Sequence, residues 1–171
     1  MTKTWIMTAF LTGTASLLAA ATPSEVIVRE ARESIGIRYR WARSDVKATD
    51  CAGLVHRVAR SAGVELPRSS VQQYAHGMPV GRDELHPGDL VFFRNTYKRG
   101  ISHVGIYIGE GEFIHAASRR RSVMISRLDQ PYFARRFAGA RRVVIDPAPE
   151  TEHALIVGAC EFEATLTPDG L

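Results

Sequence analysis

The sequence predicts an α+β fold, in which N-terminal helices pack on a central antiparallel β-sheet. Two patterns lead to this prediction. Apolar residues recur on one helical face at 54–59, shortly after Cys51. Polar and apolar residues then alternate through 102–108 and 112–117, as they do in half-buried strands. We expect the strands of the sheet to begin near Leu90, His103, Glu112, Ser122 and Arg141.

The first 21 residues have the features of a secretory signal peptide. No charged residue lies between 4 and 24, Lys3 supplies a positive start, and the segment ends in small residues at 19–21. Hydroxyl residues and a glycine dilute the apolar stretch, which favours export over an uncleaved membrane anchor. We therefore predict cleavage after Ala21, no stable membrane insertion afterwards, and a location in the periplasm, the cell envelope or the medium.

The remaining chain is expected to begin with a helix. Thr22 and Glu25 have the spacing of a capping box, and Pro23 occupies the first helical position. This helix should run toward Gly36.

A second helix is expected to carry Cys51 in its first turn. Either Thr49 or Asp50 can accept hydrogen bonds from the free amides at its start, and Gly63 can end it. The free amides and the positive end of the helix dipole favour a thiolate, so the position predicts a lowered pKa for the thiol. The alternative is that Cys51 is a small buried hydrophobic residue, and this segment alone does not distinguish the two.

Two histidines lie on a predicted β-hairpin. A three-residue loop at 109–111, whose last glycine is left-handed, would pair Ile108 with Glu112. Counting outward in this register places His103 and His115 on the same face, with their backbones roughly 7 Å apart.

The two imidazoles would then be diagonal neighbours, and Gly105 would leave room between them. A cysteine at a helix start and a pair of histidines on one sheet face are the groups needed for nucleophilic catalysis by a thiol. A shift of one residue in the register would separate the rings.

Four blocks of the sequence resemble the signature segments of the NlpC family of papain-like bacterial cell-wall peptidases. They are DCAGLV at 50–55, HPGDLVFF at 86–93, SHVGIYIG at 102–109 and FIHA at 113–116. Their order and spacing also match, and the similarity extends over about 30–144. The resemblance implies a papain-like NlpC-type fold and a cysteine-type endopeptidase that hydrolyses an amide bond in peptidoglycan stem peptides or cross-links.

The resemblance also implies a role for each site residue. Cys51 matches the nucleophile, His103 the general base and His115 the residue that orients the base. Tyr39 matches a tyrosine whose hydroxyl helps to bind the oxyanion, together with the backbone amide of Cys51. The residues expected to bind substrate are Asp50, Arg40, Arg43 and Ser102.

Two positions depart from the pattern of the family. Ala52 stands where a serine usually follows the nucleophile, and Ala42 and Arg43 replace paired glycines after Trp41. The catalytic groups survive both changes. Arg43 could add a contact to a carboxylate or obstruct the cleft.

Composition and cysteine count agree with one exported globular enzyme. We predict a signal peptide at 1–21, a peptidase domain at 22–145 and an acidic tail of unknown role at 146–171. Two cysteines cannot form a disulfide scaffold. Cys160 could pair with Cys51, or it could be a free cysteine of the tail.

Charge is distributed unevenly along the chain. The tail holds six acidic residues and no basic ones, so the net charge of +4 divides into +10 before Asp146 and −6 from it onward. Arginine clusters at 119–121, 135–136 and 141–142 would attract a polyanion such as the cell wall, or would form a solvated face. The acidic tail could lie over the basic domain and moderate its activity. No nucleic-acid recognition motif accompanies these clusters.

Two other functions remain open at this stage. Cys51, His103 and His115 could hold zinc, although their spacing fits no zinc motif. The domain could also be a peptidoglycan-binding module without catalysis. We predict a monomer that acts on peptidoglycan stem peptides and needs neither a metal nor a cofactor.

Overall fold

The structure is a computed structural model, and it describes residues 21–118 and 120–144. These residues form four α-helices, namely α1 (Pro23–Glu33), α2 (Cys51–Ser61), α3 (Ser70–Tyr74) and α4 (Pro131–Ala134). They also form eight strands, namely β1 (Arg38–Tyr39), β2 (Ala48–Thr49), β3 (Met78–Val80), β4 (Leu90–Arg94), β5 (Ile101–Gly109), β6 (Glu112–Ala117), β7 (Ser122–Arg127) and β8 (Phe137–Arg142). A short 3₁₀ helix spans Arg82–Glu84.

The predicted signal peptide, except for Ala21, lies outside the described residues, and so does the predicted acidic tail with Cys160. None of the described helices combines the length and the apolar character that a membrane crossing requires.

Both predicted N-terminal helices are confirmed, together with their ends. At α1, the Glu25 amide donates to the Thr22 hydroxyl at 3.3 Å and the Thr22 amide donates to the Glu25 carboxylate at 2.8 Å. At α2, the cap is Asp50, whose Oδ1 accepts a hydrogen bond from the Gly53 amide at 2.8 Å. Gly63 follows α2 with a left-handed φ of 76°, as helix ends often require.

The strands form one sheet in the order β2-β1-β7-β6-β5-β4-β8-β3. The run from β7 through β4 to β8 is antiparallel, which confirms the predicted centre of the sheet. At one edge β1 and β2 pair in parallel, so the whole sheet is mixed. The prediction of a strand from Arg141 onward is wrong: β8 ends at Arg142 and begins earlier, at Phe137, because its residues pair with residues 90–93 of β4.

Both faces of the central strands are buried. On one face, α1 and α2 pack on a cluster that includes Leu90, Phe92 and Ile106. On the other face, the alternate residues Val91 and Phe93 belong to a second cluster, which includes Phe133 of α4. This arrangement explains why residues 90–93 of β4 are all apolar and do not alternate with polar residues.

The predicted register of the hairpin holds, but its turn is shorter than predicted. Ile106 pairs with Ile114, as expected, whereas Gly109 pairs with Glu112 after a bulge. The reason is that Glu110 and Gly111 both have positive φ, of 53° and 73°, which makes a two-residue hairpin turn. Because the bulge absorbs the difference, the histidines keep their predicted face.

Candidate active site

Cys51 opens α2 and lies against strand β5. Only 7% of its surface is exposed. The amide of Val104, the residue that follows His103, donates to the sulfur, and the amides of Cys51 and Ala52 also stabilise a negative charge there. The nucleophile predicted from sequence therefore lies beside the strand that carries the predicted base.

The prediction of a lowered pKa at Cys51 is wrong. Burial, and after it the negative charge of Asp50, raise the pKa of the Cys51 thiol to about 11. The three backbone amides lower the pKa, but they do not outweigh the loss of water around the sulfur. Near pH 7 the thiol is therefore protonated.

The two predicted histidines are in direct contact. His103 Nε2 lies 2.8 Å from His115 Nδ1. Burial lowers the pKa of His103 to about 4, and burial together with His103 lowers the pKa of His115 well below its usual value. Both rings are therefore neutral near pH 7. Gly105 was predicted to leave room between the histidines, but the ring of Phe113 occupies the space at Gly105, where an added Cβ would lie 2.6 Å from it.

Ser126, on β7, extends this pair and was missed by the sequence analysis. His115 Nε2 lies 3.0 Å from the buried Ser126 hydroxyl. If this hydroxyl accepts the His115 Nε2 proton, His115 Nδ1 accepts from His103 Nε2, and His103 Nδ1 is left without a proton. The opposite direction would place a proton on His103 Nδ1 and prevent it from acting as a base. The only sequence signal was strand alternation, which puts Ser126 on the face of the histidines.

Tyr39, the predicted oxyanion donor, lies on β1 between β2 and β7. Its amide donates to the Arg121 carbonyl at 2.8 Å, which fixes the residue at the sheet edge. Burial, then the charges of Cys51, Asp50 and Tyr97, raise the pKa of Tyr39 to about 12. The phenol therefore keeps its proton, and within the described residues its hydroxyl has no hydrogen-bond partner. It is free to donate to a ligand.

Asp50 joins the nucleophile to the loop after Trp41. Oδ1 accepts from the Gly53 amide and from Arg68 Nη1 at 2.9 Å, while Oδ2 accepts from the Ala42 amide at 2.7 Å and from Arg68 Nη2 at 3.0 Å. Four protein donors thus occupy a carboxylate that is 7% exposed. This geometry assigns Asp50 to positioning, and its predicted contact with substrate stays a prediction. Arg68 was missed, because nothing in its own segment marks it.

The loop after Trp41 also explains one departure from the family pattern. Ala42 has a φ of 59°, in the left-handed region that glycine adopts without a steric penalty. The backbone shape that paired glycines would favour is therefore kept here by an alanine. The hydrogen bond from its amide to Asp50 holds this conformation.

The other predicted substrate contacts have different environments. Arg40 is exposed and lines a cavity beside Tyr39. Arg43 is exposed and forms an ion pair with Asp45. Ser102 is fully buried, and its hydroxyl accepts hydrogen bonds from the amide and the hydroxyl of Thr96, each at 2.9 Å. The prediction for Ser102 is therefore corrected: its side chain holds the loop between β4 and β5 and does not face a ligand.

A cleft with two cavities opens beside Tyr39. The first, of about 620 Å³, is lined by Arg38, Tyr39, Arg40, Trp41, Ser118 and Arg121. The second, of about 460 Å³, is lined by Arg38, Arg40, Trp41, Arg43, Lys47 and Ala48. Tyr97, another residue that the sequence analysis missed, contacts Trp41 edge to face at 5.2 Å.

The described part of the chain holds no group of three or more His, Cys, Asp or Glu side chains arranged for a metal ion. The facing nitrogens of His103 and His115 are used in their contact with each other.

The similarity to known proteins covers the part of the chain that holds these site residues. The family model described as "NlpC/P60 family" matches 36–142. The chain is 46% identical over 157 residues to a gamma-DL-glutamyl hydrolase of Bacillus subtilis (strain 168), an alignment that covers 87% of this chain and 38% of that protein. It is 46% identical over 112 residues to the murein DD-endopeptidase MepS/murein LD-carboxypeptidase of Escherichia coli (strain K12), covering 64% of this chain and 57% of that protein. The chain thus spans less than two thirds of either relative.

The fold is also similar to a solved structure. A crystal structure of an NlpC/P60 family protein from Bacillus cereus ATCC 10987 superposes with a TM-score of 0.66 at 35% identity. The match covers 70% of this chain and 40% of that one. This likeness confirms the predicted fold.

Proposed function

The chain belongs to the NlpC/P60 family, and on that premise we propose that it is a cysteine-type peptidoglycan endopeptidase. Its substrates would be amide bonds in stem peptides or cross-links of the cell wall. The observation that carries the proposal is Cys51 at the start of α2, beside the strand that brings His103 within 2.8 Å of His115. The named activities of the relatives include both γ-glutamyl and DD-peptide bonds, and either class fits this proposal.

The resting protonation states define the first step. Since the pKa values of Cys51 and His103 are about 11 and about 4, thiol and imidazole are both neutral near pH 7. We infer that His103 takes the thiol proton while the sulfur attacks the amide carbon, with no stable ion pair beforehand. The carbonyl oxygen becomes an oxyanion, which the Cys51 amide and the Tyr39 hydroxyl would bind.

The second half of the reaction returns the proton. The imidazolium of His103 protonates the nitrogen of the departing amine as the C–N bond breaks, and a thioester remains on Cys51. Water then attacks the thioester while His103 accepts its proton. The acid product leaves, and the sulfur recovers its proton from His103.

We further propose that the catalytic domain spans 22–145 and acts as a monomer without a cofactor. The apolar segment at 1–21 supports export to the cell envelope, where peptidoglycan is found.

Digestion of defined muropeptides tests the proposed hydrolysis. The chain, without its first 21 residues, is incubated with cross-linked dimers and with uncross-linked stem peptides, and mass spectrometry identifies the products. We expect cleavage of one type of amide bond and no cleavage by Cys51→Ala, because the thioester cannot form. Peptidoglycan binding without cleavage by the unmodified chain would support the non-catalytic module and contradict the enzyme.

Replacing Ser126 tests the hydrogen-bonded relay behind His103. We expect Ser126→Ala to lower kcat about tenfold, the cost of one buried hydrogen bond that selects the reactive tautomer. KM should change little, because Ser126 lies behind the histidines. The measurement is steady-state kinetics on whichever muropeptide the digestion identifies, repeated across the pH range.

Two variants separate this positioning role from packing. Ser126→Thr keeps a hydroxyl and should recover most of kcat. Ser122→Ala removes a hydroxyl from the same strand and should leave kcat unchanged. Among the described residues, this hydroxyl donates to the Arg120 carbonyl at 3.5 Å and makes no other hydrogen bond. Equal losses in Ser126→Ala and Ser126→Thr would show that the side chain acts through volume alone.

A further inference from the structure

Two exposed aromatic side chains, Trp41 and Tyr97, meet beside the candidate active site. Their rings contact edge to face, with centroids 5.2 Å apart, although 64% of Trp41 and 53% of Tyr97 are exposed. Trp41 lies in the loop between β1 and β2, and Tyr97 lies in the loop between β4 and β5. The fold therefore brings together two rings that are distant in sequence. Aromatic side chains with one apolar and one accessible side are frequent at binding surfaces.

Trp41 is attached to the segment that carries the nucleophile. The amide of Ala42, the next residue, donates to Asp50 Oδ2 at 2.7 Å. Asp50 caps α2 and directly precedes Cys51. Trp41 also lines both cavities of the cleft.

Tyr97 is attached to the segment that carries the base. The amide and the hydroxyl of Thr96, the preceding residue, both donate to the Ser102 hydroxyl at 2.9 Å. Ser102 directly precedes His103 on β5. At the start of the loop, Asn95 makes two hydrogen bonds to the far end of the same loop, each of 2.9 Å. A loop that is held in this way loses little freedom when a ligand binds.

The phenol of Tyr97 is close enough to the nucleophile to sense its charge. Burial, then the charges of Cys51 and Asp50, raise the pKa of Tyr97. The charge of Tyr97 in turn contributes to the raised pKa of Tyr39. Both phenols therefore keep their protons near pH 7 and can donate hydrogen bonds. Within the described residues, the hydroxyl of Tyr97 has no hydrogen-bond partner.

The free hydroxyl of Tyr97 is an additional donor at this site. The oxyanion already has two assigned donors, the amide of Cys51 and the hydroxyl of Tyr39. Each residue of a peptide brings one carbonyl acceptor, so a bound chain presents further carbonyl groups beside the one that is attacked. A donor attached to the segment of the base is suited to one of these.

We propose that Tyr97 is a substrate-binding residue whose hydroxyl donates a hydrogen bond to a carbonyl oxygen of the bound peptide, next to the carbonyl that Cys51 attacks, while Trp41 holds its ring in place. The accepting carbonyl does not react, so the hydrogen bond is equally strong in the bound substrate and in the transition state. The contact therefore favours binding and does not accelerate the chemical step. The identity of the attacked carbonyl rests on the proposed hydrolase function, whereas the binding contact does not.

Tyr97→Phe tests the hydrogen bond, because it removes the hydroxyl and keeps the ring against Trp41. We expect KM to rise about fivefold, the effect of one lost uncharged hydrogen bond, and kcat to stay unchanged. The substrate is the muropeptide that the digestion identifies. A lower kcat at unchanged KM would overturn the proposal, because the hydroxyl would then act on the transition state or on the position of the reacting groups.

Tyr132→Phe is the matched control. Tyr132 is 37% exposed, contacts Phe133 on α4 and lines neither cavity of the cleft. Its loss of a hydroxyl should leave KM and kcat unchanged. An equal rise of KM in Tyr97→Phe and Tyr132→Phe would contradict the proposal.

A double variant tests the part assigned to Trp41. If Trp41 acts by holding Tyr97, the rise of KM in Trp41→Leu combined with Tyr97→Phe should be smaller than the product of the two single effects. A full product would show that the two rings act independently and would overturn this part of the proposal.

Calorimetric titration of inactive protein separates the binding contact from catalysis. Cys51→Ala is titrated with an uncross-linked stem peptide, with and without Tyr97→Phe, and we expect the dissociation constant to be about fivefold larger without the hydroxyl. Such a loss, without any digestion by the unmodified chain, would overturn the hydrolase function and leave Tyr97 as a binding residue. Digestion with the same KM in Tyr97→Phe would overturn the role of Tyr97 and leave the hydrolase function standing.

Discussion

Alkylation of Cys51 by iodoacetamide should be slow near pH 7 and should accelerate about tenfold per pH unit toward the thiol pKa of about 11. Only the thiolate reacts, and with such a pKa about one thiol in 10⁴ is ionised at pH 7. A cysteine of ordinary pKa would react about two orders of magnitude faster. Peptide mass spectrometry of the quenched reaction measures the rate at this residue.

A thiolate–imidazolium pair would produce a different profile. It would hold the alkylation rate on a plateau through the neutral range, because the thiol would stay ionised down to an acidic pH. Observation of that plateau would refute the neutral resting state. Since the charge of Asp50 raises the pKa of Cys51, Asp50→Asn should move the profile to lower pH. All measurements use a Cys160→Ala background, which leaves one cysteine to modify.

Removal of the Asp89 carboxylate should destabilise the fold by about 3–5 kcal/mol. Asp89 is 2% exposed and precedes β4, and its two oxygens accept Nε and Nη2 of Arg142, at the end of β8, each at 2.8 Å. Oδ2 also accepts the His86 amide. In Asp89→Ala the guanidinium loses the carboxylate that neutralises its charge, although Nη2 keeps the Glu84 carbonyl at 3.1 Å, and the His86 amide loses its acceptor. Thermal unfolding should show a Tm lower by about 10 °C or more.

An exposed ion pair provides the control for this prediction. Arg127 and Asp129 also form a short ion pair, with 49% and 63% of their side chains exposed. Because water solvates both partners, Asp129→Ala should cost less than about 1 kcal/mol. If Tm fell by a similar amount in the two alanine variants, burial of the Asp89–Arg142 pair would add nothing to the stability of the fold.

Local signals in the sequence predicted the helices and the positions of the candidate catalytic residues. The capping box at Thr22 and the cap at Asp50 depend on neighbours three residues away, so each can be recognised within its own segment. The positions of His103 and His115 depended on one register, which alternation and glycines determined. The family resemblance supplied the role of Tyr39, which no pattern in its segment would have suggested.

What the sequence did not reveal depends on contacts between distant segments. The pKa of Cys51 was predicted in the wrong direction because a helix pattern gives the dipole but not the burial by β5. Arg68 and Ser126 were missed because their partners, Asp50 and His115, meet them only in the folded chain. The block HPGDLVFF was recognised by likeness, whereas its physical reason, the pairing of Asp89 with an arginine 53 residues away, required the structure.

The four hydrogen bonds that the Asp50 carboxylate accepts have a structural consequence. The first turn of α2, the Ala42 backbone and the Arg68 side chain all bind the Asp50 carboxylate. The loop after Trp41 is therefore held in a fixed position relative to Cys51. A ligand that contacts the Ala42 loop therefore lies one side chain, that of Asp50, away from the residue that carries the sulfur. A substrate that contacts this loop should therefore affect the position of the nucleophile through the Asp50 carboxylate.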